Sequence, residues 1–224
     1  MIVEILLAGF LFLFVIVTIM VSSQLGNKIA FGESNLDSGA LLQDITDNPK
    51  RFRMSVYIAL FEHGAIILLA IILFVVFSHY SMILGVVWVI ARTVEGIIVF
   101  NNEKNYWGLL ALAGRYSGSG EADKEAVSDT GLSILKTKNS RFTYAQMLFS
   151  IGTLAYSMLF VIYEVVPLLI GWFGVVAAIL YGLGNGIIFV KPRKNAIAGL
   201  GGLLIFIFEA VLGIWLIYSS IFIP

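Results

Sequence analysis

Six apolar runs of about 20 residues divide this 224-residue chain, and each is the length a helix needs to cross the hydrocarbon of a bilayer. They fall at about 2–22, 54–77, 81–100, 142–163, 167–190 and 196–221. No water reaches the bilayer core, so backbone N–H and C=O groups there must be satisfied within the segment, and runs of this length fold as helices. The expected fold class is all-α: a polytopic helical bundle of about six transmembrane helices, forming a single transmembrane domain over 1–224. Composition agrees. The chain is 59% hydrophobic and 12% charged, whereas an ordinary soluble domain is about a quarter charged. The first run, from Ile5 to Val21, is longer than the apolar region of a signal peptide and has no Lys or Arg before it. It reads as an uncleaved span.

The connections carry the charge. The first, 23–53, contains an amphipathic segment with Leu36, Leu41, Leu42 and Ile45, which is expected to lie on the membrane surface. Asp47 or Asn48 then caps the second span, with Pro49 in its first turn. Ser78-His79-Tyr80 is a hairpin turn. The second long connection, 101–141, continues the third span through Tyr106, Trp107 and Leu109–Leu112, breaks at Ser117-Gly118-Ser119-Gly120, and allows a further helix over Glu121–Leu135. Lys191-Pro192-Arg193-Lys194-Asn195 forms the last turn. Of the 14 Lys and Arg residues, 13 fall in these three connections, on one side of a six-span bundle. The remaining one, Arg92, is inside a span. The positive-inside rule places the basic side in the cytoplasm and both termini outside, in a cell membrane of prokaryotic plasma-membrane type.

Several function classes are excluded. The formal net charge is zero and no basic stripe is present, so nucleic acid is not a partner. There is no cysteine, hence no disulfide, thiolate metal site, iron–sulfur cluster or cysteine nucleophile. The G-x-S-x-G and H-E-x-x-H motifs are absent, and no Lys within a span offers a retinal Schiff base. No cofactor is implied.

The chemistry that remains lies in ionisable side chains within spans. Each costs about 2.5–3.5 kcal/mol to insert, so each needs a reason. Glu62 and His63 lie in the second span, Arg92 and Glu95 in the third, and Glu209 in the sixth. Glu62 and Arg92 each sit eight residues in from the basic side, roughly 12 Å at 1.5 Å per residue. Glu95 is shallower and Glu209 nearer the midplane. Arg92 and Glu95 have the i, i+3 spacing of an ion pair on one helical face. The pair is read as structural, as a ligand-binding Arg, or as a snorkelling side chain. Glu62 and His63 are adjacent and diverge by about 100° on a helix of 3.6 residues per turn, poor spacing for a shared metal. The bland reading of His63 is a buried histidine satisfied by a neighbour. A carboxylate-rich metal site from Glu62, His63, Glu95 and Glu209 is the less favoured alternative. Glu209 has no basic neighbour in its own helix and is a proton-carrier candidate or a structural hydrogen-bonding group. Gly182, Gly184, Gly186, Gly199, Gly201 and Gly202 form small-residue surfaces for close helix approach.

Together these residues predict a polar cavity in the inner half of the bundle, open to the cytoplasm or inner leaflet. The leading expectation is a membrane protein that binds a lipid-like or small amphiphilic ligand, or a proton, at Glu62, His63, Arg92, Glu95 and Glu209. The alternatives are an intramembrane enzyme acting on a lipid-like substrate and a structural or regulatory subunit of a membrane complex. Membrane lipids are the expected partners; a second copy of the chain or a partner membrane protein is left open.

Two motifs carry a family likeness: Arg92-Thr93-Val94-Glu95 in the third span, and Pro167-Leu168-Leu169-Ile170-Gly171-Trp172-Phe173-Gly174 opening the fifth. With the order of long and short connections, the chain resembles an uncharacterised group of bacterial and archaeal multi-pass membrane proteins, a domain of unknown function. The resemblance covers nearly the whole chain. It implies a prokaryotic membrane location and no established activity.

Overall fold

The computed structural model describes residues 2–26, 37–191 and 196–222. Lys28, Leu36 and residues 192–195 of the last turn lie outside them. Eight helices follow in chain order: α1 (Ile2–Leu25), α2 (Ser38–Asp47), α3 (Pro49–Phe77), α4 (Met82–Asn102), α5 (Lys104–Tyr116), α6 (Glu121–Ile162), α7 (Leu168–Val190) and α8 (Ala196–Phe222). No strand occurs among the described residues. Among the described residues, six helices are long and apolar enough to cross a membrane, with α4 and α5 counted as one stretch over Met82–Tyr116. The chain is therefore a multi-pass membrane protein. Its lipid-facing surface is studded with large apolar side chains such as Phe61, Val75, Ile83 and Leu169, which water would not tolerate in such number.

The spans close into a ring. Helix α1 packs on α3, α3 on α4, α4 on α6, α6 on α7, α7 on α8, and α8 back on α1. Apolar contact gives helices little drive to associate in lipid, so close backbone approach has to supply it. At the α7–α8 crossing a Cβ on Gly184 would stand 2.4 Å from the Ala198 backbone, and one on Gly201 would stand 2.6 Å from that of Tyr181. Only glycine allows this approach. Gly186 and Gly199, also expected at helix contacts, face open space.

The half of the ring away from the basic connections is filled by an aromatic plug. Tyr156 lies 4.4 Å from Trp88, 5.4 Å from Phe160 and 5.8 Å from Phe208, between ring centroids. The indole N–H of Trp88 donates to the carbonyl of Ala70 at 2.9 Å, fastening α4 to α3. Ser81 caps α4, accepting from the Leu84 amide, and Ser78–Tyr80 is the expected short turn. Asn48 stands at the N-cap of α3 without a side-chain hydrogen bond, and Pro49 opens the helix.

Over the basic end sits a helical cap made of α2, α5 and the first half of α6. It has its own apolar core, including Leu42, Ile45, Phe52, Tyr106, Leu109, Val127 and Leu135. The amphipathic segment therefore buries its apolar face in protein rather than lying on lipid: Leu42 and Ile45 are almost wholly buried. Asp37 caps α2 by accepting from the Ala40 amide. A second departure from expectation is α6. The helix over Glu121–Leu135 and the fourth span are one unbroken helix of 42 residues, roughly 63 Å long at 1.5 Å per residue. Residues 136–141 contain no Gly or Pro to interrupt it.

Candidate functional site

Beneath the cap, where α3, α4, α6 and α8 face inward, lie the ionisable side chains of the spans. Exposure is 2% for Arg92 and Glu95, 7% for Glu209, and 8% for Glu62 and His63. Helix register sets their levels. Gly96 of α4 abuts the backbone of His63, so Arg92 lies four residues, or about 6 Å, farther from the basic end than His63.

Arg92 Nη1 is 2.8 Å from Glu95 Oε2. The contact is an ion pair whose angles are not those of a good hydrogen bond. The guanidinium also stacks over Phe149 at 4.2 Å and stands 5.9 Å from the Trp88 ring. Gly152 of α6 makes room for its stem, since a Cβ there would be 2.8 Å from Arg92 Cγ. At 2% exposure the side chain is enclosed within the bundle rather than snorkelling to the interface. Glu95, the partner expected from the i, i+3 spacing, is the one that pairs with it.

The adjacent Glu62 and His63 approach each other more closely than their helical divergence implied. His63 Nδ1 is 3.7 Å from Glu62 Oε1, because the longer glutamate reaches across. The other ring nitrogen, Nε2, is 3.2 Å from Glu103 Oε1. Glu62 is subject to the charges of Glu103, Glu95 and Glu209 in that order, and Glu209 to that of Arg92. The five expected residues therefore form one electrostatically connected group. Among the described residues no three His, Asp or Glu side chains converge to hold a metal ion, so the alternative carboxylate-rich metal site does not assemble.

Three members of the group escaped the reading of the sequence. Glu103, 5% exposed, is the junction residue between α4 and α5. Lys138 of α6 is buried beside it, with its ammonium 4.2 Å from the Tyr106 ring, and the two charges act on each other. Asn102 donates to the Lys138 carbonyl at 3.0 Å, tying the junction to α6. One signal was present: residues 95, 99 and 103 repeat at i+4, which puts Glu103 on the Glu95 face. A polar stripe on α6 continues the group towards the plug. Gln146, Ser150, Thr153 and Ser157 are all buried at i+3 and i+4 spacing, and Tyr181 of α7 donates to Gln146 Oε1 at 2.7 Å.

Among the described residues, four buried carboxylates (Glu62, Glu95, Glu103, Glu209) accompany two buried cations (Arg92, Lys138), a formal sum of −2 with His63 neutral. Two pockets away from this group are apolar: one of about 10 Å³ near Trp88 and Tyr156, and a groove between α7 and α8 lined by Leu169, Trp172 and Val211.

A family model described as a domain of unknown function (DUF4386) matches residues 7–219. The chain belongs to that family. No curated protein and no solved structure matches it.

Proposed function

Membership of a family without an assigned reaction leaves the reading to the site itself, and we propose that this protein holds and exchanges protons in the buried polar group of its inner half. The observation that carries the reading is the excess of carboxylate over cation in a region with almost no solvent exposure. Uncompensated charge is costly in low dielectric, so the excess has to be offset by bound protons or by a cation. The closed packing favours the proton. Each of Glu62, His63, Arg92, Glu95 and Glu209 is less than a tenth exposed, so a lipid-like cationic head group enters only if helices part, whereas a proton moves along existing contacts. With the basic end in the cytoplasm, the group lies nearer that side, beneath the cap.

The test is infrared spectroscopy of the purified protein in detergent at neutral pH. A protonated carboxylic acid has its own C=O stretching band, distinct from carboxylate. The expected result is a band equivalent to about two protons per chain, matching the formal excess. It converts in D₂O without loss of helix and weakens in Glu209→Gln and Glu62→Gln. Absence of the band, or a band inert to D₂O, leaves a dry structural ion network as the better account. A thermal shift with dodecylamine that disappears in Glu209→Gln would favour the amphiphile reading instead.

A further inference from the structure

The group has two levels. Glu62, Arg92, Glu95 and Glu209 are enclosed by the spans, while Glu103 sits at the α4–α5 junction, one residue before the exposed Lys104. His63 touches both levels. It stands between two carboxylates, with Nε2 3.2 Å from Glu103 and Nδ1 3.7 Å from Glu62. An imidazole takes a proton on one nitrogen and releases one from the other, which makes this placement chemically directional.

Resting on the proton reading above, we infer that Glu103 and His63 form the entry relay, carrying protons from the cap junction to Glu62. A hydronium ion from the cytoplasmic side protonates the Glu103 carboxylate and leaves water. Glu103 passes its proton to Nε2 of His63 while the proton on Nδ1 leaves for Glu62. Glu103 is then again a carboxylate, Glu62 is a carboxylic acid, and the ring is neutral in its other tautomer. Reverse passage, or rotation of the ring, resets it. The 3.7 Å step exceeds hydrogen-bond length, so it is the slow one, crossed when the side chains approach or a water bridges them. Glu103 Oε2 is buried without a hydrogen-bond partner, so it takes the incoming proton when water reaches the junction, and turning of the carboxyl group then brings that proton to Nε2.

The ionisable groups near His63 come from several helices. Glu62 comes from its own helix, Arg92 and Glu95 from α4, Glu103 from the junction, Tyr106 from α5, Lys138 from α6 and Glu209 from α8. Lys138 neighbours Glu103 but not the inner carboxylates by any contact described. Its charge acts on Glu103, at the outer end of the relay.

The experiment follows deuterium exchange of the carboxylic-acid band in time, in the parent, His63→Gln and Glu103→Gln. Both substitutions are expected to slow exchange at least about tenfold, equivalent to about 1.4 kcal/mol of barrier, while the final amplitude after long exchange is unchanged in His63→Gln and smaller in Glu103→Gln, which removes one carboxylate of the excess. His79→Gln, at the opposite end of the ring, should leave the rate unaltered. If the parent has no exchangeable band, the proton reading fails. If the band exchanges but His63→Gln and Glu103→Gln match the parent, the relay fails and the reading stands. Nitrogen-15 labelling of the parent's two histidines decides the matter without any substitution. The relay requires the His63 ring N–H to exchange at least as fast as the carboxylic acid, and a ring proton protected for longer overturns it.

Discussion

Replacing Arg92 with methionine leaves a side chain of similar length without its charge. Glu95 then loses the cation 2.8 Å away in a site where neither residue is more than 2% exposed. Stranding one partner of a buried ion pair costs about 3–5 kcal/mol. The stacking of the guanidinium over Phe149 at 4.2 Å adds up to about 2 kcal/mol when desolvated, though the methionine thioether recovers part of it. For a chain of this size each kcal/mol moves the melting temperature by about 2–4 °C. Taking the ion-pair loss alone, roughly 6–20 °C is expected for Arg92→Met in detergent. Arg92→Lys should recover only part of that, because it keeps the charge and loses the planar fork. The cycle is completed by Glu95→Gln and the double variant. Removing both charges relieves the stranded group, so the double variant should be more stable than Arg92→Met alone. A single substitution as stable as the parent, or a double variant equal to the sum of the singles, would refute the ion-pair argument.

Three further outcomes follow from the geometry. Gly184→Ala and Gly201→Ala should each destabilise the protein by about 1–3 kcal/mol through overpacking, because their Cβ atoms meet the backbone of the facing helix; Gly186→Ala and Gly199→Ala, with open space around them, should be neutral or slightly stabilising in the same melting assay. Leu42→Ala should cost about 2–5 kcal/mol and show as faster amide exchange confined to α2, α5 and the start of α6, since Leu42 is in the cap core; exchange unchanged there would return α2 to the lipid surface. The absence of native cysteine permits single-cysteine labelling in oriented vesicles: cysteine at Ser119 should react only from the cytoplasmic side and cysteine at Ser78 only from outside, and reversal would overturn the assigned orientation.

The spans were legible because the bilayer leaves a 20-residue apolar run no other fold. The Arg92–Glu95 pair was legible because i, i+3 spacing on a helix is nearly a distance. Leu42 and Ile45 were placed wrongly for a different reason: an amphipathic helix looks the same whether its apolar face meets lipid or a protein core, and only the partners in α5 and α6 decide it. Glu103 was passed over because it stands just beyond the apolar run, where charge is ordinarily solvated. Burial came from the cap folding over it, which is a long-range event. Lys138 was hidden in the same way, inside a basic stretch that reads as a solvated loop until α6 proves continuous. That Glu62 and His63 meet, despite their divergence as neighbours, depended on side-chain length rather than backbone angle.

An unbroken α6 also fixes a phase between the cap and the membrane. Leu135 in the cap core and Phe149 under Arg92 lie on the same rod, 14 residues and about 21 Å apart. Inserting or deleting a single residue within 136–141 would turn one half against the other by about 100° and shift it by about 1.5 Å. Lys138 would leave Glu103, or the Gln146–Ser150–Thr153 stripe would turn towards lipid. This stretch looks like a linker by composition, but its length works like the pitch of a screw: only changes that restore whole turns would keep both ends engaged.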